Sequence, residues 1–101
     1  MAIYYVAHRY GGDKNNLERA KKITHDLQVQ DLENTYICPL LVFSHLEYDE
    51  MEHEAVMELY IDILSIADKL IVASDSSKGV KQEIDFANNV KMEVEYLENT
   101  E

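Results

Sequence analysis

The sequence of 101 residues is short of several residue types, and each shortage excludes a class of protein. A single cysteine rules out a disulfide framework and suits a reducing cytoplasm. No apolar run approaches the roughly eighteen residues that a membrane span needs, and no secretory leader is visible. One proline and three glycines leave little room for long irregular segments. We therefore expect one cytoplasmic domain over residues 1–101.

Positive charge is also scarce, because 9 Lys and Arg residues stand against 20 Asp and Glu residues. The resulting net charge of −11 repels phosphodiester backbones and anionic membrane surfaces, so neither polymeric nucleic acid nor a membrane is expected as a partner. A small anion is still compatible with a local basic pocket, for which the sequence offers Arg9, Lys78 and Lys81. A chain this short often supplements its core through a subunit interface, and we expect a dimer or larger homo-oligomer.

What the sequence does contain is an alternation of strand and helix patterns. The predicted order is strand 2–7, helix 15–28, strand 34–39, helix 50–67, strand 69–74, helix 80–89 and strand 91–97. About four parallel strands with three helices predict a small flavodoxin/Rossmann-like three-layer α/β sandwich, with Pro39 ending the second strand and an irregular segment after it. Ligands bind such sheets beyond the carboxyl ends of the strands, where the strand order reverses.

The loop after the third strand, "SDSSKG" (74–79), joins a strand end to a helix N-terminus. Free backbone N–H groups and the helix dipole favour an anion there, and the loop adds donors and charge. The candidate ligand or phosphate contacts are Ser76, Ser77, Lys78, Gly79 and the nearby Lys81. The same serines and glycine also satisfy ordinary turn and N-cap chemistry, so both interpretations stand.

Glu83 and the loop after the first strand also allow two interpretations, a structural role or contact with a ligand. We expect Glu83 in the first turn of its helix, where an acid either complements the helix dipole or faces a ligand held by the loop. In "AHRYGGD" (7–13), Arg9 suits a phosphate and Tyr10 suits a base or sugar pocket, with His8 beside them. The alternative is a solvent loop with a satisfied histidine.

The other reactive side chains give weaker signals. Cys38 lies in an apolar stretch and is expected to be a buried, inert thiol. "HEAVM" (53–57) lacks a second histidine one turn on, and no metal or cofactor is predicted. Tyr60 and Asp62, on the long helix before the third strand, either reach the pocket or serve as a core tyrosine and a surface aspartate.

Three segments in order, "AHRYGG" (7–12), "YICPLLVF" (36–43) and "ADKLIVASDSSKGVKQEIDFANNVKMEV" (67–94), resemble the nucleoside 2-deoxyribosyltransferase-like superfamily. The likeness is to a short, mostly uncharacterised branch common in phages and bacteria. Its Ser–x–Gly–x–x–x–Glu spacing is matched by Ser77, Gly79 and Glu83. The resemblance implies that Glu83 attacks C1′ of a deoxynucleoside and that Ser77 contacts the 5′ end of the sugar or its phosphate.

Two departures from this family pattern separate the possible functions. His8 and Arg9 stand where the family has glycine and proline, which brings bulk and charge to the pocket mouth. The aspartate that the catalytic relatives carry before the third strand falls on Tyr60 here, with Asp62 two residues away. Either Asp62 substitutes for this aspartate through a local shift, or the acid is absent.

The sequence therefore predicts a protein that binds a nucleotide or an ADP-ribose-like ligand, as a phage-type sponge that sequesters an immune nucleotide signal. The alternative is an N-glycosidic bond hydrolase or transferase for nucleosides or nucleotides, with Glu83 as nucleophile and Asp62 as the assisting acid. A scaffold without a ligand is the third interpretation.

Overall fold

A computed structural model describes residues 1–74 and 77–97 of the chain. Its elements are β1 (Ile3–Ala7), α1 (Lys14–Gln30), β2 (Thr35–Ile37), α2 (Pro39–Val42), α3 (His53–Leu64), β3 (Lys69–Val72), α4 (Lys78–Asn89) and β4 (Glu93–Tyr96). The predicted alternation is confirmed, with one addition. Pro39 begins the short helix α2 instead of ending a strand, because the fixed φ of proline and its missing N–H suit the first position of a helix.

The four strands form one parallel sheet in the order β2-β1-β3-β4. Tyr5 is paired with Ile37 of β2 on one side and with Leu70 of β3 on the other. The chain leaves β1 toward β2 and then returns to place β3 on the opposite side, so the strand order reverses between β1 and β3. The loops after these two strands are therefore neighbours at the carboxyl edge, as the sequence predicts.

Helices cover both faces of the sheet, which confirms the three-layer α/β sandwich. One buried cluster joins the sheet to α3 and α4 and consists of Tyr5, Ala7, Leu64, Leu70, Val72, Val80 and Ala87. The other joins it to α1 and α2 and consists of Val6, Ala20, Cys38, Leu40 and Ala73. Successive residues of β1 thus face opposite layers, and its apolar run is continuous because both faces are covered.

The start of α4 differs from the prediction in a way that matters for the site. Ser77 is the N-cap, and its hydroxyl oxygen accepts a hydrogen bond from the Val80 N–H at 3.1 Å. A serine hydroxyl satisfies a helix-end donor that a glycine cannot, so the helix begins at Lys78 and includes Gly79. Glu83 is consequently the sixth residue of α4 and lies in its second turn. Its predicted place in the first turn is wrong.

The ends of the other long helices also differ from the predicted ones. The N-cap of α1 is Asp13, whose carboxylate accepts from the Asn15 N–H at 2.8 Å, so the helix begins at Lys14 and not at the predicted residue 15. Helix α3 begins at His53 and not near residue 50, because the acidic residues before it form turns. Within residues 1–74 and 77–97, no helix is both long and apolar enough to cross a membrane.

Candidate functional site

A cavity of about 380 Å³ lies at the carboxyl edge, between the loop after β1, the start of α4, and the irregular segment of residues 43–52. This volume is near the lower end of the roughly 300–1,000 Å³ that small-molecule sites occupy. Of the residues predicted to form the site, those that line the cavity are His8, Tyr10, Ser77, Lys78, Gly79 and Glu83. The structure thus brings together both loops that the sequence singled out.

Glu83 forms the innermost polar part of this cavity. Its side chain is only 3% exposed, and the hydroxyl of the fully buried Tyr5 donates a hydrogen bond to its Oε2. Burial raises the pKa of Glu83 to about 7, and the hydrogen bond from Tyr5 partly offsets that rise. At neutral pH the carboxyl group is therefore divided between its ionised and protonated forms, and it is held in one orientation.

The helix dipole does not explain why an acidic residue occupies position 83. The dipole acts mainly within the first turn, and Glu83 lies in the second turn of α4. A buried carboxyl also costs free energy that an exposed acid near a helix end does not. Tyr5 supplies a single hydrogen bond, and burial raises the pKa of its own phenol well above the usual range, so that the phenol stays a donor. A strongly shifted acid that lines a cavity is characteristic of functional sites.

Aromatic rings form the side walls of the cavity. Tyr60 and Phe43 are stacked, with ring centroids 5.8 Å apart and planes 12° from parallel. Tyr10 and Tyr48 meet edge to face, with centroids 5.6 Å apart. Flat aromatic surfaces near a polar group suit a planar heterocycle such as a nucleobase.

The segment of residues 43–52 contributes more to the cavity than the sequence indicated. Its lining residues are Phe43, Ser44, Leu46, Glu47, Tyr48, Asp49 and Met51. The Tyr48 ring lies so close to Gly12 that a Cβ at position 12 would be 2.9 Å from Tyr48 Cδ2. Gly12 also has a φ of +79°, so it serves both the turn and the close approach. The available signal was the recurrence of large apolar and aromatic residues in a stretch without strand or helix periodicity.

The start of α4 remains compatible with both interpretations of its loop. Ser77 acts as the N-cap and also lines the cavity, where its hydroxyl hydrogen is available for donation. A Cβ at Gly79 would lie 3.4 Å from Met57 Sδ, which is ordinary contact distance, so the packing of α4 against α3 does not require a glycine there. Ser76, another predicted contact, falls outside the described residues.

Charge around the cavity differs from the expectation. Arg9 and Lys81 do not line it; Arg9 Nε approaches Asn16 Oδ1 at 3.5 Å, and Lys81 is exposed on α4. Among the described lining residues Lys78 is the single lysine or arginine, while Glu47, Asp49 and Glu83 are acids. The structure therefore gives less support to a ligand with several phosphates than the sequence did.

Asp62 lies outside this cavity, on the exposed side of α3 next to Glu58. Two residues span about 200° around an α-helix, so Asp62 points away when Tyr60 points inward. The local shift that would bring Asp62 beside Glu83 is not present. The role of Asp62 as an assisting acid thus has no geometric support.

The remaining candidates are structural in this arrangement. Cys38 is 2% exposed, and burial raises the pKa of its thiol to about 11, as expected for an inert side chain. His53 Nε2 lies 2.6 Å from Gln82 Oε1 and connects α3 to α4 beside the cavity. In the parts of the chain that the structure describes, no three His, Cys, Asp or Glu residues are grouped so as to hold a metal ion.

The fold and the site define a class of protein: a small parallel α/β domain with a ligand-sized cavity at the reversal point of its sheet. The family model described as a domain of unknown function (DUF7768) matches residues 2–97, and the chain belongs to that family. Comparisons with curated proteins and with solved structures give no match. The likeness to nucleoside 2-deoxyribosyltransferase-like proteins therefore stays a prediction.

Proposed function

We propose that the protein binds a nucleoside or nucleoside monophosphate in this cavity and cleaves its N-glycosidic bond, with Glu83 as nucleophile. The observation that carries the proposal is the buried Glu83 carboxyl, which lines an aromatic cavity and receives a hydrogen bond from Tyr5. Burying the Glu83 carboxyl without a cationic partner costs free energy of folding. Proteins tolerate such a cost at sites where the buried group takes part in a reaction.

The reaction begins with a carboxylate aimed at the sugar carbon. An oxygen of ionised Glu83 bonds to C1′ while the C1′–N bond breaks, and the base leaves with the electron pair and takes a proton from water. A second water molecule then attacks C1′ and loses its proton to the hydroxide that the first step left, which releases Glu83 as a carboxylate and yields the free sugar or its 5′-phosphate. Tyr5 positions the carboxyl through the other oxygen and favours its ionised form.

The size and charge of the cavity favour a small ligand. A volume of about 380 Å³ is small for a dinucleotide-like molecule such as ADP-ribose. Lys78, the Ser77 hydroxyl and the N-terminus of α4 suit one phosphate group. Stacked Phe43 and Tyr60 offer a flat surface to the base.

Binding without chemistry is the second candidate, and one observation favours it. Asp62 is exposed and outside the cavity, so no acid from that helix assists the leaving base. On this alternative the protein sequesters a nucleotide or ADP-ribose-like signal, as a phage sponge would. Two of the three cations that favoured this alternative, Arg9 and Lys81, do not line the cavity. The expected cytoplasmic location and homo-oligomer stay predictions under either proposal.

One experiment separates the candidates. The purified protein is incubated with nucleosides, deoxynucleosides, their 5′-monophosphates and ADP-ribose, and each mixture is analysed by chromatography before and after denaturation. Free base produced by the wild type but not by Glu83→Gln supports cleavage. Intact ligand released only on denaturation supports sequestration, and a protein that neither binds nor cleaves any of them contradicts both proposals.

A further inference from the structure

Tyr60 is the aromatic side chain of the cavity whose hydroxyl is best placed to recognise the ligand. It projects from the regular helix α3 into the cavity, and its ring is stacked on Phe43 at 5.8 Å. Side chains carried on regular elements and held by packing are placed more accurately than those on loops. The position of the Tyr60 hydroxyl is therefore well defined.

The Tyr60 hydroxyl is a donor near Glu83. Burial raises the pKa of Tyr60 far above the usual phenol range, and the negative charge of Glu83 raises it further. The phenol consequently keeps its proton at any physiological pH. In the described part of the chain this hydroxyl makes no hydrogen bond, so its donor is available to a ligand.

Two other polar groups nearby, on Tyr5 and His53, already have partners, and the hydroxyl of Ser77 lies at the start of α4, where it suits the phosphate. The Tyr5 hydroxyl donates to Glu83, and the Ser77 oxygen accepts from the Val80 N–H. His53 bonds Gln82. Because Glu83 would face C1′, a donor close to Glu83 reaches only atoms near the glycosidic bond.

We propose that Tyr60 selects the base by donating a hydrogen bond to an acceptor two bonds from the glycosidic nitrogen. In a purine that acceptor is N3 or N7, and in a pyrimidine it is O2. This inference rests on the proposed binding of a nucleoside in the cavity, but it does not require that the bond is cleaved. It makes Tyr60 a specificity-determining residue.

The test measures binding in a Glu83→Gln background, which prevents cleavage. Dissociation constants for adenosine, 3-deazaadenosine and 7-deazaadenosine are determined by calorimetry with and without Tyr60→Phe; a protein that prefers pyrimidines is tested with cytidine and 2-thiocytidine. Tyr60→Phe keeps the ring that stacks on Phe43 and removes only the donor. Tyr36→Phe, the same chemical change outside the cavity, is the control.

The expected result is a loss of about 3- to 10-fold in affinity for the natural nucleoside on Tyr60→Phe. The analogue that lacks the contacted acceptor should bind both proteins equally. An equal loss for every analogue, or no loss for any, overturns the role of Tyr60 while leaving nucleoside binding intact. If the Glu83→Gln protein binds neither these nucleosides nor their 5′-monophosphates, the proposed function fails, and the inference fails with it.

Discussion

Two tyrosine–carboxylate pairs at opposite edges of the sheet show how burial decides what such a pair does. At the carboxyl edge the Tyr5 hydroxyl donates to Glu83, and at the amino edge the Tyr36 hydroxyl donates to Asp31 Oδ2 at 2.7 Å. Burial raises the pKa of Glu83 to about 7. Hydrogen bonds, from Asn34 first and then from Tyr36, lower the pKa of Asp31. A tyrosine hydroxyl thus donates to both carboxyl groups, yet the pKa of Glu83 is raised and the pKa of Asp31 is lowered.

The surroundings of the two pairs explain the difference. Asp31 lies near the surface at the end of α1, where water still solvates its charge and several donors surround it. Gln28 completes that arrangement by bonding the backbone of Asn34 and Tyr36, which fixes α1 to β2. Among the described residues one side chain, Tyr5, donates to Glu83, and the carboxyl group has little contact with solvent. The Tyr36–Asp31 pair belongs to the contacts that fix α1 to β2, whereas the Tyr5–Glu83 pair holds a buried carboxyl group whose pKa is near neutral.

The largest contrast is expected from replacing each carboxylate by its amide. Glu83→Gln should reduce base release by about 10⁴-fold or more, because the nucleophile is removed, whereas ligand binding should persist. Asp31→Asn, the matched change at the other edge, should leave the rate unchanged. Rates are measured by chromatography of free base with the same nucleoside. Comparable losses in both variants would mean that Glu83 acts through stability alone.

The pH dependence of stability should have opposite signs at the two pairs. Between pH 4.5, the ordinary pKa of Glu83, and about 7, its folded-state pKa, the folded protein retains a proton that the unfolded chain has released. The Glu83 contribution to the free energy of unfolding therefore falls as pH rises through this window, by about 3 kcal/mol in total. Glu83→Gln should remove that slope.

Asp31 should act in the other direction, since its pKa is lowered from 3.8. Its stabilising contribution is present above that pH and is lost as pH falls below it. Asp31→Asn should therefore change the profile only at the acidic end. Urea denaturation of the wild type and both variants over a pH series measures these slopes. A Glu83→Gln profile parallel to that of the wild type from pH 4.5 to 7 would contradict the raised pKa.

Removing the donor from the buried pair should have a smaller effect. Tyr5→Phe withdraws the hydrogen bond that favours ionised Glu83, so the pKa of Glu83 should rise further. We expect about tenfold slower base release at neutral pH and recovery of the rate at higher pH. The rate is followed across a pH series. A slower rate with an unmoved midpoint would indicate that Tyr5 only packs against the carboxyl.

The smallest effect is expected from Tyr36→Phe. Asp31 keeps its hydrogen bonds from Asn34 and from the Glu33 backbone, so the melting temperature should fall by less than about 4 °C. The rate of base release should not change. Thermal denaturation and the rate of base release are measured beside Tyr5→Phe, and a slower base release by Tyr36→Phe than by Tyr5→Phe would contradict the structural role of the Tyr36–Asp31 pair.

Much of the fold was predictable because its signals are local. Apolar runs with helical patterns between them indicated four strands and intervening helices, and the rule for parallel sheets brought the loops after β1 and β3 together. The short helix α2 was missed because Pro39 suits both a strand end and the first turn of a helix. The residues around Pro39 do not by themselves decide between a strand end and the start of a helix.

The errors at the site concern the direction of side chains. Arg9 and Lys81 are sequence neighbours of cavity residues, and Asp62 is two residues from Tyr60, but none of the three lines the cavity. Successive residues of a helix point about 100° apart, so Lys81 is exposed although Val80 and Glu83 of the same helix line the cavity. The contribution of Phe43 and Tyr48 was also missed, since an irregular segment has no periodicity that indicates its buried face.

The sequence by itself determined the alternating architecture and the edge at which the loops after β1 and β3 meet near Glu83, because apolar periodicity and turn residues are local properties. Only the tertiary structure decided that Glu83 is buried against Tyr5, that Tyr60 faces the cavity and that Asp62 does not. The physical reason is that a carboxyl group has no fixed pKa of its own. Its pKa follows from the solvent and the donors that distant segments bring to it or take away.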